Sequence, residues 1–187
     1  MYKLEKFDEL VACFEKLPGV GKKNAQKYAY HVALYDSFLG LNLAHNIEEA
    51  VRFLKYCLMC GGISQNEICD ICNDDDRDRE ILCIVESPRD IFTIEHSNSF
   101  EGLYFVFDDI NKIENLKNNI LKNKIKEILF AFTPGIKSDG LMLFIENELV
   151  GLNLNFTKIA QGVPVGVSLE NIDMLSLSKA IKNKHNA

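Results

Sequence analysis

Apolar residues recur with two different periods along this chain, and the change of period divides it. Leu4, Phe7, Leu10, Val11, Phe14 and Leu17 fall at helical spacing, which predicts an amphipathic helix over 3–17. Pro18-Gly19 ends it. A second helix is expected from Lys22 to about Tyr35, with Ala25, Tyr28, Ala29, Val32 and Ala33 on one face. "SFLGLN" reads as a loop, and a third helix as 43–56 with Leu43, Ile47, Ala50, Val51 and Leu54 inward. After a cysteine-rich stretch (57–72) and an acidic run (73–80) the pattern becomes short continuous apolar blocks. "ILCIVE" (81–86), "GLYFVF" (102–107), "EILFAF" (127–132) and "TKIA" (157–160) read as strands, the first two buried. Helices are expected between them at 88–97, 111–124 and 138–149, and a last one at 174–184. Ser87-Pro88 supplies a cap and a first-turn proline for the helix at 88. Regular alternation of strand and helix predicts an α/β region with a mostly parallel sheet.

Composition narrows the class without naming it. The 187 residues carry 47% hydrophobic and 26% charged side chains, an ordinary balance for a soluble globular chain. No apolar stretch reaches membrane-span length and no signal peptide opens the sequence, so a cytoplasmic location is expected. Net charge of −6 argues against coating nucleic acid by bulk charge. The distribution matters more. From Lys16 to Tyr35 there are four lysines and no acid, while acids concentrate in "DDDRDRE" at Asp74–Glu80.

Within that basic stretch, Pro18-Gly19-Val20-Gly21 separates two amphipathic helices. Glycines at 19 and 21 permit a tight reversal and leave backbone N–H groups uncovered at the start of the second helix. Orphan donors and the helix dipole attract an anion there, and Lys22, Lys23 and Lys27 add charge at the same end. Val20 can plug the hairpin against the helices. A tight turn with a solvated lysine face would use the same glycines. The full run of apolar residue, Leu-Pro-Gly-Val-Gly-Lys-Lys and a following alanine fits a nucleic-acid phosphate, held without reading the base, and resembles the helix–hairpin–helix motif.

Six cysteines are present, and four have the spacing Cys57-x2-Cys60-x8-Cys69-x2-Cys72. Two such knuckles present four thiolates to one ion, a closed tetrahedral Zn²⁺ site of structural type. Buried thiols or a redox pair are the alternatives. Gly61 and Gly62 let the backbone bend so that amides reach the sulfurs, and Lys55 or Arg52 could offset the excess charge. Cys13 and Cys83 fall in apolar periodic segments and read as core residues. In the second half, Glu86 ends the first strand, Asp108 and Asp109 the second, and Asp139 follows the third. Carboxylates at one edge of a parallel sheet could hold Mg²⁺ for phosphoryl-transfer chemistry. Local caps and solvated loop acids account for them more simply, and this is the reading preferred.

The order of hairpin, four-cysteine module and "IVESPRDIFTIE", followed by "ILFAFTP" and "KIAQGVPVGVSLENID", resembles the RecR recombination-repair family along essentially the whole chain. The resemblance implies a helix–hairpin–helix region (1–56), a four-cysteine zinc module (57–79), a Toprim domain (80–165) and a Walker B-like helical assembly segment (166–187). It implies a DNA-binding homo-oligomer, a ring of four in the family, that acts with RecO, and with RecF where present, to load recombinase at single-stranded gaps, in a nucleoid-associated setting. Lys23 and Lys27 match the family's DNA-contacting basic positions, and Glu86 the Toprim glutamate. Lys27 stands where the family usually has arginine, which keeps charge and loses a bidentate phosphate contact. Two departures bear on function. "FDDINKIENLKNN" enters a helix without the family's longer glycine-rich loop, and Lys137-Ser138-Asp139 stand where catalytic Toprim enzymes pair two acids. A non-enzymatic mediator is therefore expected. A Mg²⁺-dependent DNA-cleaving or primase-like enzyme, and a scaffold whose hairpin binds a partner's carboxylate, are the competing readings.

Overall fold

The computed structural model describes residues 4–160. The expected helix at 174–184 and the expected segment 166–187 lie outside the described residues. The chain divides into two compact units, Met1–Leu54 and Lys55–Ala187.

In the first unit, α1 (Glu5–Glu15) and α2 (Lys22–Tyr30) pack as a hairpin. Ala25 and Ala29 of α2 are fully buried, and with Val11 they form a small core that Phe7, Leu10, Phe14 and Val20 cover. Alanine at both contact positions lets the two helix backbones approach closely. Cys13 points outward, contrary to its expected core position, because α1 buries only the stripe centred on Val11. The second helix does not run on evenly to Tyr35. It loosens into a π-turn, His31–Tyr35, closed by the Asp36 N–H donating to the His31 carbonyl at 2.7 Å. That extra residue per turn shifts the stripe, so Ala33 faces solvent.

The segment expected as a loop is the start of α3 (Ser37–Phe53). Asp36 caps it, its side chain accepting from the Leu39 N–H at 2.9 Å. Gly40, inside the stretch expected as a loop, is a close-approach glycine. A Cβ there would sit 2.2 Å from the Val32 carbonyl oxygen. The residues expected to face inward do not: no α3 side chain is buried, with Ile47 62% and Val51 79% exposed.

The second unit opens with β1 (Lys55–Tyr56) and β2 (Ile63–Ser64), an antiparallel pair at the cysteine module, and a short α4 (Asp70–Asn73). The main sheet comprises β3 (Asp78–Val85), β4 (Gly102–Val106), β5 (Glu127–Ala131) and β6 (Asn155–Lys158), in spatial order β4-β3-β5-β6. All three pairings are parallel. β3 begins at Asp78, so the end of the expected acidic loop is strand. Helices α5 (Pro88–His96), α6 (Ile113–Asn123) and α7 (Ile136–Glu148) make the crossovers. The Ser87 N–H donates to Asp90 Oδ2 at 2.8 Å, securing the start of α5.

Side chains of β3 alternate between two layers. Leu82 and Ile84 join Phe105, Leu116, Ile120, Ile128, Phe130, Ile145 and Leu149 in the larger core, against α6 and α7. Cys83 and Val85 join Ile91, Tyr104 and Val106 on the other face, against α5. Cys83 is thus the core residue its pattern predicts, and burial pushes its thiol up to about 12. Among the described residues no helix is long and apolar enough to cross a membrane.

Candidate nucleic-acid interface and metal centre

The hairpin turn is built by one left-handed residue and one helix start. Gly19 has φ +79°, a conformation that a side chain would strain. Val20 turns in and its N–H donates to the Leu17 carbonyl at 3.1 Å. Gly21 is the extended residue before α2, and its carbonyl accepts from the Asn24 and Ala25 N–H groups, both at 3.0 Å. The N–H groups of Gly21, Lys22 and Lys23 make no hydrogen bond among the described residues. A Cβ on Gly19 or Gly21 would meet nothing within 4 Å, so the turn is open to an incoming group. Lys22, Lys23 and Lys27 are exposed, none is in an ion pair among the described residues, and the first turn of α2 has no acid. Gly19, Gly21, Lys22 and Lys23 thus lie at one uncovered, positive helix start, with Val20 turned into the core and Lys27 exposed in the last turn of α2. His31 stacks on Tyr35 at 5.2 Å between ring centres.

Cys57, Cys60, Cys69 and Cys72 are all buried, and their sulfurs lie within 4.8 Å of one another. Tetrahedral Zn²⁺ at Zn–S of about 2.3 Å requires sulfurs about 3.8 Å apart. Cys60 and Cys69 stand at 3.6 Å. The Gly62 N–H points at Cys60 Sγ and the Cys69 N–H at Cys57 Sγ, each at 3.3 Å, the amide-to-sulfur bonds of a knuckle. Gly61 supplies the turn with φ +75°. Packed this closely, the thiols cannot all ionise without a cation. Hydrogen bonds from Cys60 and Cys72 pull Cys69 down, whereas sharing with Cys69 and burial push Cys60, and sharing with Cys60 and Cys69 and burial push Cys72, above the usual thiol range. Four clustered sulfurs that amides already hold in place are a donor set that fits Zn²⁺. Arg52, suggested as a counter-charge, is engaged with Glu48 at 2.7 Å.

The four acids of the sheet do not gather. Glu86 accepts from the Thr133 N–H at 3.1 Å, bridging the ends of β3 and β5. Asp108 pairs with Lys112 at 2.6 Å, and Asp109 caps the following 3-10 turn by accepting from the Asn111 N–H at 2.9 Å. Asp139 lies in the first turn of α7, beside a groove formed with Phe130, Met142 and Phe156. Among the described residues the four cysteines are the one group of three or more such ligands placed for a metal ion. The shared edge that the strand ends suggest is thus replaced by separate local partners for Glu86, Asp108 and Asp109. Ser138 is buried and donates to the Thr133 carbonyl at 2.6 Å, locking the loop before α7.

Sequence reading missed a second polar cluster. Arg77, inside the acidic run, turns inward to pair with Glu95, and its Nη1 also donates to the Gly102 carbonyl at 3.3 Å. Tyr104, 1% exposed, donates its hydroxyl to Glu95 Oε1 at 2.7 Å. Arg77 holds the Glu95 carboxyl below its ordinary value, and burial raises the Tyr104 phenol. These partners lie 9 to 25 residues apart, so no local signal could find them.

A helical hairpin with an open amide cluster, followed by a four-thiol module and a parallel sheet, defines a helix–hairpin–helix protein with a four-cysteine zinc finger. The family profile for the RecR helix–hairpin–helix matches residues 7–51, and the profile for the RecR zinc finger domain of four cysteines matches 54–74. The chain is 55% identical over 180 residues to Recombination protein RecR of Campylobacter jejuni strain 81-176, covering 95% of each. It is 53% identical over 184 residues to the protein of that name from a Nitratiruptor species, covering 97% of each. To that of a Helicobacter pylori strain it is 46% identical over 183 residues, covering 97% of this chain and 95% of the relative. The chain belongs to the RecR family of recombination proteins.

Proposed function

We propose that this chain is a non-enzymatic mediator of recombinational DNA repair that grips DNA by its phosphates through the hairpin at Gly19–Lys27. The observation that carries this reading is the start of α2, where three N–H groups and exposed Lys22 and Lys23 meet no acid, with exposed Lys27 one turn further along. Amides and ammonium groups bind phosphate oxygens whatever the base, so Gly19, Val20, Gly21, Lys22, Lys23 and Lys27 would hold DNA without sequence preference. Cys57, Cys60, Cys69 and Cys72 would hold one structural Zn²⁺. The ion supplies no open coordination position for chemistry and serves to fix the knuckles.

One hairpin touches few phosphates, so a single copy in an acidic chain binds weakly. Assembly into a ring, as in the family, multiplies hairpins on one DNA and raises effective concentration without new contacts. The proposal includes a Toprim-type domain over 80–165, with Glu86, Asp108, Asp109 and Asp139 at its edge serving structure or partner docking. RecO-type and RecF-type proteins are the expected partners, and the cytoplasm the expected location. The separate engagement of Glu86, Asp108 and Asp109 supports binding over Mg²⁺-dependent catalysis.

Two measurements test this. DNA affinity of the intact protein, read by fluorescence anisotropy against salt with mass in solution measured in parallel, should show sequence-independent, salt-sensitive binding by an oligomer. Incubation of labelled DNA with Mg²⁺ or Mn²⁺ should yield no cleavage. Turnover abolished by Glu86→Ala would replace the mediator with an enzyme.

A further inference from the structure

The cysteine module does not stand apart from the sheet as a detachable finger. The Cys60 carbonyl accepts from the Val106 N–H at 2.7 Å, so the backbone of a metal ligand continues the hydrogen bonding of β4 at its carboxyl end. The neighbouring Phe107 N–H donates to the Val85 carbonyl at 2.8 Å, so the same stretch is tied to β3. Gly61 packs so closely on Val106 that a Cβ would lie 3.2 Å from the Val106 Cβ and 3.8 Å from Lys112 Nζ. On the other side of the knuckle, buried Asn119 of α6 donates to the Met59 carbonyl at 3.0 Å, and Asn123 donates to Asn119 Oδ1 at 3.0 Å. Ile71, between the last two cysteines, packs on the cysteines and on the Cys83–Val106 core alike. A cleft of about 360 Å³ is walled by the knuckle on one side and by Pro88, Asp108, Lys112 and Asn115 on the other.

We propose that the four-cysteine module is a clasp whose metal occupancy is transmitted to the carboxyl edge of the sheet through Cys60–Val106, Gly61–Val106 and Met59–Asn119, making the placement of Asp108 and Lys112 metal-dependent. The inference rests on the reading of the four cysteines as a zinc site. Its physical basis is the lack of slack. Releasing the metal removes the strongest tie among the four sulfurs and leaves only the amide-to-sulfur bonds of the knuckles, and the Cys60 and Met59 carbonyls move with them. Val106 then loses its partner at the point where the chain leaves β4 for Asp108. Coupling of this kind is reciprocal: contacts that let the metal hold the edge also let the edge hold the metal.

The test uses the full chain. Metal content by elemental analysis comes first, and less than one zinc per chain that zinc addition does not raise would end the zinc reading itself. On zinc-loaded protein, chelation should raise hydrogen exchange at Val106 and Phe107 by about tenfold or more, while Ile128–Phe130 in β5 keep their protection. Equal protection of Val106 before and after metal removal overturns the clasp while leaving zinc in place. If chelation unfolds the whole unit, the reverse arm decides. Asn119→Ala removes one bond to the knuckle and should speed zinc transfer to a competing chelator by roughly 3- to 10-fold, the worth of one hydrogen bond. Leu121→Ala, an exposed change on the same helix, should not alter it. Equal transfer rates for Asn119→Ala and the parent would sink the proposal.

Discussion

Replacing Lys23 and Lys27 with alanine isolates the contact on which the functional reading depends. Both side chains are exposed on α2, neither is in an ion pair among the described residues, and alanine is the better helix former. Fold stability should therefore change by less than about 0.5 kcal/mol. Binding should change in a way only phosphate contact produces. Each phosphate neutralised on duplex DNA contributes about −0.9 to the slope of log affinity against log salt, so two lost lysines flatten it by about 1.8 per engaged hairpin. Between roughly 50 and 200 mM salt the parent should then lose about 12-fold more affinity per hairpin than the variant. The amides of Gly21, Lys22 and position 23 survive, and Lys22 remains, so the variant binds weakly rather than not at all. The assay is anisotropy of labelled duplexes of two unrelated sequences across a salt series, with Lys122→Ala, a charge removed from α6, as control. A double variant with an unaltered slope, or one weakened on a single sequence, would refute the phosphate grip.

Other expectations follow from the second unit. Cys60→Ser should reduce bound zinc below one per chain, and acidification should release the metal because protons compete for the thiolates, both read with a metallochromic dye. Glu95→Gln should destabilise by about 1–3 kcal/mol in urea unfolding, since Arg77, largely buried, loses its carboxylate. Because the folded state lowers the Glu95 pKa, its contribution is present above the unfolded-state value and is lost as pH falls through the folded one, so the gap between parent and variant should close in acid. Gly102→Ala should lower the thermal midpoint sharply or prevent folding, as its Cβ would lie 2.7 Å from the Ile81 carbonyl oxygen, a backbone atom that cannot step aside.

Much of this was legible because the signals are local. Gly19-Val20-Gly21 and the paired CxxC motifs state their geometry within a few residues, and the apolar blocks of the second half all fall in strands, though β3 starts earlier and β6 ends sooner than the blocks suggest. The failures have the opposite cause. Gly40 sits in a stretch that reads as a loop, but its meaning comes from the Val32 carbonyl eight positions back. The π-turn at His31–Tyr35 breaks the 3.6-residue rule on which face assignments rest, which misplaced Ala33. Arg77 sat among aspartates that suggest a solvated loop, while its partner Glu95 stands 18 residues ahead. For Glu86, Asp108 and Asp109 local caps are the reading preferred from sequence, but which neighbour each carboxylate holds is decided by loops whose shape no periodicity encodes.

The all-parallel pairing of the main sheet has a bearing on how the chain matures during synthesis. β3 lies between β4 and β5, and neither neighbour can be joined to it by a tight hairpin. As the polypeptide leaves the ribosome, Leu82 and Ile84 meet their β5 neighbours Ile128 and Phe130 only after forty-six further residues. The cysteine knuckles close over only sixteen residues and can be complete well before then. Newly made chains should thus be most vulnerable to aggregation and chaperone capture in the interval after the metal-binding stretch is finished and before β5 appears.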